Sequence, residues 1–299
     1  MDVAITGASG LIGSALSQSL RADGHEVRPV SRRGGSGTIS WDPEAGTIDA
    51  TALAGVDAVV HLAGEGVASG PWTDEQRRRI KTSRTKGTTL LATTLAGLDR
   101  KPAVLVSGSA IGYYGDRGDE ELTERSTPAD DFLAQVCVAW EASTAPAHEA
   151  GIRVVHIRTG VVLTTEGGAL PKLVLPFKFG VGGPAGNGKG WWSWITLEDE
   201  VRAIRFLLDA DVRGPVNLTA PNPVPGKELA RTIGRVLHRP AALPIPRFIS
   251  KVPFGVGDLV ESLLFTSARV RPSVLESAGF EFTHPEVEGA LRAVLGRAA

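Results

Sequence analysis

Three glycines constrain this chain more than any other feature: Gly7, Gly10 and Gly13, spaced GxxGxxG between an apolar run and an amphipathic one. Val3-Ala4-Ile5-Thr6 has the length and composition of a short buried strand. Leu11 to Arg21 places Leu11, Ile12, Ala15, Leu16 and Leu20 at helical spacing. Gly24-His25 closes that helix, and Glu26 to Val30 reads as a second strand ending in Ser31-Arg32-Arg33. In this context the glycines let a pyrophosphate reach backbone N–H groups at a helix N-terminus, where aligned peptide dipoles favour negative charge. A side chain at any of the three would block the turn, the close approach or the helix–strand packing. Gly7, Ser9, Gly10, Leu11, Ile12 and Gly13 are therefore expected to cradle the phosphates of a dinucleotide.

The end of the second strand distinguishes the two common nicotinamide dinucleotides. An Asp or Glu there accepts hydrogen bonds from an unmodified ribose 2′-OH and would repel a 2′-phosphate. This chain offers Ser31, Arg32 and Arg33 instead. A guanidinium presents a planar fork of donors that matches a phosphate, so NADP(H) is the expected cofactor. The alternative is a pair of solvated surface arginines.

A length of 299 residues allows one large α/β domain with a smaller lobe, and 42% apolar content supports a substantial core. The net charge of −1 gives no electrostatic reason to expect nucleic acid or an anionic membrane as a partner. A lone cysteine, Cys137, excludes an intrachain disulfide and a cysteine zinc cluster, and no metal site is expected. With the first strand at residue 3 and no apolar run of spanning length, the expected location is cytoplasmic.

Further apolar runs at Val56–Leu62, Ala103–Ser107, Arg153–Ile157 and Pro215–Leu218 predict strands. They alternate with predicted helices at Asp74 to about Leu98 (Thr73 as N-cap), Asp131 to about Ala150 and Leu197–Ala210. The alternation predicts a Rossmann-type doubly wound parallel sheet with helices on both faces. Residues 166–195 interrupt it with glycines, prolines and three tryptophans and read as a substrate-pocket insertion. Residues 1–220 are thus expected to form the cofactor domain. Residues 221–299, opening on a rigid connector at 221–226, are expected to form a small C-terminal lobe.

With these residues identified, the chain resembles the extended short-chain dehydrogenase/reductase superfamily. The motifs are Thr6-Gly7-Ala8-Ser9-Gly10-Leu11-Ile12-Gly13, His61-Leu62-Ala63-Gly64, Gly87-Thr88 and Ser107-Gly108-Ser109. More narrowly, it resembles the epimerase-like branch known as sugar-nucleotide epimerases or SulA-type cell-division inhibitors. That likeness rests on Ser83-Arg84, Pro176-Phe177-Lys178, Gly180-Val181-Gly182-Gly183, Trp192-Ser193-Trp194-Ile195, Arg269-Val270-Arg271-Pro272 and Gly279-Phe280. The tail from about residue 247 resembles a small domain of unknown function typical of that branch. The resemblance implies that Leu62, Ala63 and Gly64 line the adenosine-ribose side of the cofactor, with Ser107 at a neighbouring strand end and Val162 near the nicotinamide. Arg84 stands where relatives commonly carry an Asn, in reach of phosphate or ribose, or else belongs to the basic run of its helix.

Two departures from the superfamily pattern bear on chemistry. Its redox members use a Tyr as acid/base with a Lys four residues on to lower its pKa; in register with Glu141, those positions hold Leu133 and Cys137. Ser109 remains as the candidate substrate-orienting hydroxyl and Tyr113 as the candidate proton donor, with turn and packing roles as alternatives. Its epimerases hold a substrate diphosphate with an Arg and an Asn, and those positions hold Trp192 and Val161. Trp72, Tyr114, Phe177, Trp192 and Trp194 are the candidate walls of an apolar substrate pocket, or fillers of the seam between lobe and sheet. The expectation is an NADP(H)-binding oxidoreductase acting on a small apolar carbonyl or alcohol. The alternatives are an NADP(H)-dependent regulator with a protein partner, conceivably in cell division, and an NAD-dependent sugar-nucleotide epimerase.

Overall fold

A computed structural model of the protein describes residues 1–35, 37–246 and 265–296. Eight strands form one sheet: β1 (Asp2–Thr6), β2 (Glu26–Ser31), β3 (Ile39–Asp42), β4 (Thr47–Ile48), β5 (Ala58–His61), β6 (Val104–Ala110), β8 (Arg153–Thr159) and β12 (Gly214–Leu218). The strand β7 (Glu121–Leu122) lies outside it, paired with Arg269–Val270. The order is β12-β8-β6-β5-β1-β2-β3-β4, parallel throughout except for the β3–β4 hairpin at one edge. This is the Rossmann-type doubly wound sheet that the strand and helix alternation predicts.

Burial on both faces explains the near-continuous apolar strands. Val3, Ile5, Val60, Val106 and Ile157 pack under α1 (Leu11–Ala22) and α7 (Leu197–Asp209) through Leu16, Leu20, Ile204 and Leu207. Ala4, Val59, Leu105 and Val154 face the other way, against Leu91 and Leu95 of α3 (Asp74–Ala96) and Ala147 of α5 (Ala145–Glu149). A third cluster joins α6 (Leu170–Lys178), Trp192, Trp194, α8 (Gly226–Leu237) and the helix Val287–Val294. Among the described residues no helix is long and apolar enough to cross a membrane.

The structure corrects one expected element and adds others that the sequence pattern does not show. The single helix expected from Asp131 to Ala150 is two, α4 (Phe132–Ala142) and α5. Pro146 lacks the N–H that would bond the Ala142 carbonyl, while the Ser143 and Thr144 hydroxyls bond the Ala139 and Glu141 carbonyls instead. The irregular stretch 166–195 contains α6 and the short strands β10 (Trp191–Trp192) and β11 (Trp194–Thr196). β11 pairs with β9 (Val161–Leu163), and β10 with β13 (Val224–Pro225) inside the expected connector. The β3–β4 hairpin was not expected; its Trp41 enters the core because Gly87, whose Cβ would lie 3.2 Å from the indole, leaves room for it. Much of the tail expected to form a small domain, residues 247–264 and 297–299, lies outside the described residues.

Candidate functional site

The strand order reverses beside β1: β2 continues to one side, β5 to the other. Ligands of open parallel sheets bind outside the strand C-termini at such a point. There the chain leaves β1 through Gly7 at φ +69°, a left-handed value suited to glycine, and Gly10 caps α1 with no side chain in the way. Gly13 lies directly on the turn. A Cβ there would stand 2.2 Å from the Gly7 carbonyl oxygen and 2.8 Å from its carbon, both backbone atoms with nowhere to go. Ser9 is exposed on the turn, Leu11 opens the helix and Ile12 packs into the core. The cradle fits a pyrophosphate. Gly13→Ala is expected to cost about 3 kcal/mol, lowering Tm by roughly 6–12 °C in a thermal melt. Gly289→Ala, at an exposed helical position where a Cβ meets nothing within 4 Å, is the control and is expected to gain up to about 1 kcal/mol.

The strand ends facing this turn are fixed by a buried relay. Thr6 Oγ1 accepts from the Leu62 and Ala63 amides, each at 3.1 Å, and donates to His61 Nδ1 at 2.7 Å. His61 Nε2 then donates to Thr88 Oγ1 at 2.8 Å. This assigns the neutral Nε2–H tautomer. Burial, reinforced by the Arg84 charge, pushes the imidazole down to about 4 from 6.5. Because the folded pKa is the lower one, the stabilisation from neutral His61 is complete above pH 6.5 and lost as pH falls to about 4. The loss is on the order of 3 kcal/mol, and urea unfolding at a series of pH values checks it; a His61→Gln variant is expected to lose most of this dependence. The Leu62 and Ala63 amides are thus committed inward, so what they offer a cofactor is surface rather than donors.

At the adenosine end, Ser31 Oγ accepts from the Arg33 amide at 3.2 Å, setting the turn on which Arg32 and Arg33 stand exposed. Arg84 lies against Gly64, donates through Nη1 to the Glu65 and Ile80 carbonyls, and places its guanidinium carbon 4.8 Å from the Trp140 ring centre. It also lines the adjoining cavity. Burial lowers its pKa from the usual guanidinium value. Ser107 is fully buried at the end of β6, and its Oγ has no partner among the described residues.

The cradle opens at Leu11 into a cavity of about 660 Å³. Its walls come from Trp72, Phe132, Leu133, Val136 and Trp140 on one side and Thr159, Gly160, Val161, Val162, Trp191 and Trp192 on the other. Leu133 and Cys137, the positions that carry Tyr and Lys in redox relatives, both face it, as do Val161 and Trp192. Burial, reinforced by the Glu141 charge, pushes the Cys137 thiol up to about 11, so it is a protonated, non-basic lining group at neutral pH.

Several expected pocket residues lie elsewhere. Phe177 and Trp194 are buried in the third core cluster, and Trp194 Nε1 donates to the Asn222 carbonyl at 3.2 Å. They fill the seam between lobe and sheet. Tyr114 is fully buried. It donates to Asn217 Oδ1 at 2.7 Å and accepts from Arg158 Nη1 at 3.0 Å, and burial lifts its phenol to about 12.

The two expected catalytic hydroxyls do not line the cavity either. Ser109 is buried and donates to Glu141 Oε1 at 2.7 Å. Arg158 grips the same carboxylate with Nε at 2.8 Å and Nη2 at 2.9 Å. Tyr113 lies under that guanidinium, 3.4 Å from ring centre to carbon. Burial alone would lower the Arg158 pKa, but its bonds to Glu141 and Tyr114 outweigh that and raise it. Ser109, Tyr113 and Tyr114 therefore form the shell of a buried ion pair. Nothing in the spacing of Glu141 and Arg158 along the sequence reveals this contact, which joins two separate elements.

Comparison with known proteins agrees with this geometry. Residues 3–219 match the NAD dependent epimerase/dehydratase family, and residues 245–294 match a domain of unknown function, DUF1731. The chain is 42% identical over 292 residues to "Epimerase family protein Mb2239" of Mycobacterium bovis, covering 97% of this chain and 96% of that one. The crystal structure of the human epimerase family protein SDR39U1 with NADPH superposes with a TM-score of 0.91 at 33% identity, covering 100% of both chains. A nucleoside-diphosphate sugar epimerase from Corynebacterium glutamicum gives a TM-score of 0.82 at 37% identity, covering 99% of this chain and 58% of that one. From its glycine cradle to its strand order, the chain belongs to the NAD dependent epimerase/dehydratase family.

Proposed function

We propose that this protein binds NADP(H) across the switch point and is an atypical oxidoreductase for a small apolar carbonyl or alcohol. The glycine cradle accepts the pyrophosphate, Arg32 and Arg33 take the 2′-phosphate, and the nicotinamide half extends past Leu11 into the cavity. The NADPH in the human relative, alike over its whole length, supports this choice of cofactor. When bound, the cofactor supplies a hydride; the chain supplies a largely apolar, aromatic-walled cavity beside it.

The observation that carries the reading is the lining of that cavity. Trp192 and Val161 face it where a sugar diphosphate would need polar anchors, and a diphosphate pressed against them would lose its hydration without replacement. A flat apolar carbonyl compound loses nothing comparable. The test is NADPH oxidation across a panel of aromatic and alicyclic aldehydes and ketones, with UDP-glucose binding measured alongside. Turnover of panel members without UDP-glucose binding is expected; UDP-glucose binding without turnover would overturn the reading.

A second reading, an NADP(H)-dependent binding protein without turnover, is favoured by one feature. The Ser109 hydroxyl is spent on Glu141, and Leu133 and Cys137 cannot transfer a proton as a Tyr–Lys pair does. Tight NADPH binding with no oxidation across the whole panel would select it.

A further inference from the structure

One ionisable group beside the cavity has no structural explanation. Glu200, in the first turn of α7, is completely buried. Its Oε1 accepts from Thr159 Oγ1 at 2.8 Å, and its Oε2 has no partner among the described residues. Thr159, the last residue of β8, lines the cavity. A single hydroxyl thus separates the cavity from a carboxyl with one idle oxygen. An unpaired carboxylate in such a place costs several kcal/mol, whereas a carboxylic acid does not.

No neighbouring charge accounts for it. On its own helix, Asp199 accepts from the Thr283 and His284 amides and from Arg202, and Glu198 meets His284. On β8, Arg158 turns to Glu141, His156 pairs with the Thr144 hydroxyl, and Arg153 donates to the Leu207, Leu208 and Val212 carbonyls. On α1, Arg21 bonds the Val27 carbonyl. β6, β9, β11 and β12 carry no ionisable side chain at all. Burial dominates, opposed only by the Thr159 hydrogen bond, and pushes the carboxyl up to about 8.

The placement points to a partner. With the pyrophosphate in the Gly7–Gly13 cradle and the adenosine at the end of β2, the other half of a dinucleotide has only the β5–β6–β8 side to occupy. That is where Leu11, Val162 and Thr159 share a wall. The oxidised nicotinamide ring is a cation and the reduced ring is neutral. We propose that Glu200 is a proton store coupled to the redox state of the cofactor, kept as the acid beside the reduced ring and released as the carboxylate beside the oxidised one. The carboxyl proton passes to solvent when the oxidised cofactor binds, and no other bond changes. Thr159 holds one carboxyl oxygen and presents the pair to the cavity. In a site without a Tyr–Lys pair, this group changes charge in step with the ring.

This inference rests on the NADP(H) reading above, and its test separates the two. Dissociation constants of NADP⁺ and NADPH are measured by fluorescence titration and competition between about pH 6 and about pH 9. Titration of the 2′-phosphate affects both forms alike and cancels in their ratio. The ratio Kd(NADP⁺)/Kd(NADPH) is expected to fall as pH rises, by about tenfold for each unit by which the cationic ring lowers the carboxyl pKa. In Glu200→Gln, which keeps an acceptor for Thr159, the ratio is expected to be flat. Calorimetric titration of wild type with NADP⁺ at about pH 7, in two buffers of different ionisation enthalpy, is expected to show proton release that the variant lacks. Glu200→Gln must also fold. Because the folded pKa of Glu200 is the raised one, its contribution is present below about pH 4.5 and lost as pH rises to about 8, so the variant is expected to gain stability at alkaline pH. A wild-type ratio that does not change with pH, with both nucleotides bound, overturns the proton store. Failure of both nucleotides to bind at any pH overturns the NADP(H) reading instead.

Discussion

Glu141→Ala is expected to destabilise the fold by about 3–5 kcal/mol, the largest stability loss for any single charged residue described above. Glu141 and Arg158 are 13% and 3% exposed, and two guanidinium nitrogens meet two carboxylate oxygens. Removing the carboxylate leaves the guanidinium buried with the Tyr114 hydroxyl and the Glu124 carbonyl as its remaining hydrogen-bond partners. It also frees the Ser109 hydroxyl. Replacing both partners, as Glu141→Leu with Arg158→Met, is expected to recover most of the loss, because two charges no longer have to be desolvated. Urea unfolding of the two single variants and the double one measures the coupling. If Glu141→Ala unfolds within about 1 kcal/mol of wild type, the pair is solvated and Ser109 is free for chemistry after all.

Arg32→Ala combined with Arg33→Ala is expected to weaken NADPH binding by about a hundredfold and to leave NADH binding within about threefold of wild type. Two charge-assisted phosphate contacts of about 1.5 kcal/mol each account for that factor. The residues stand exposed on a turn set by the Ser31 hydroxyl and touch no core element, so thermal stability without cofactor should not change. Equal weakening of both nucleotides would show that the arginines act on the shared pyrophosphate and not on the 2′-phosphate.

The parts of the molecule legible in the sequence are those built by local pattern. The cradle can be read because Gly7, Gly10 and Gly13 each meet a backbone constraint that only the sequence around them sets. The parallel sheet can be read because strands buried on both faces are continuous apolar runs. What escaped is non-local. Phe177 and Trp194 look like pocket aromatics by composition, but whether an aromatic lines a cavity or fills a seam depends on the helix that arrives 30 or more residues later, here α8. Ser109 looks like a substrate hydroxyl until Glu141 is seen to accept its hydrogen bond. The α4–α5 break is written in Pro146, but the apolar pattern on either side of it reads as one continuous helix. Glu200 gave no signal at all, since an acidic residue in the first turn of a helix is ordinary on a solvated face and exceptional only when buried.

The direct test of the central claim is equilibrium titration of the wild-type protein with NADPH and with NADH under identical buffer and salt. A dissociation constant for NADPH at least about a hundredfold lower than that for NADH is the result the glycine cradle and arginine pair require. Equal affinities would contradict it, because the turn after β2 would then be reading nothing on the adenosine ribose.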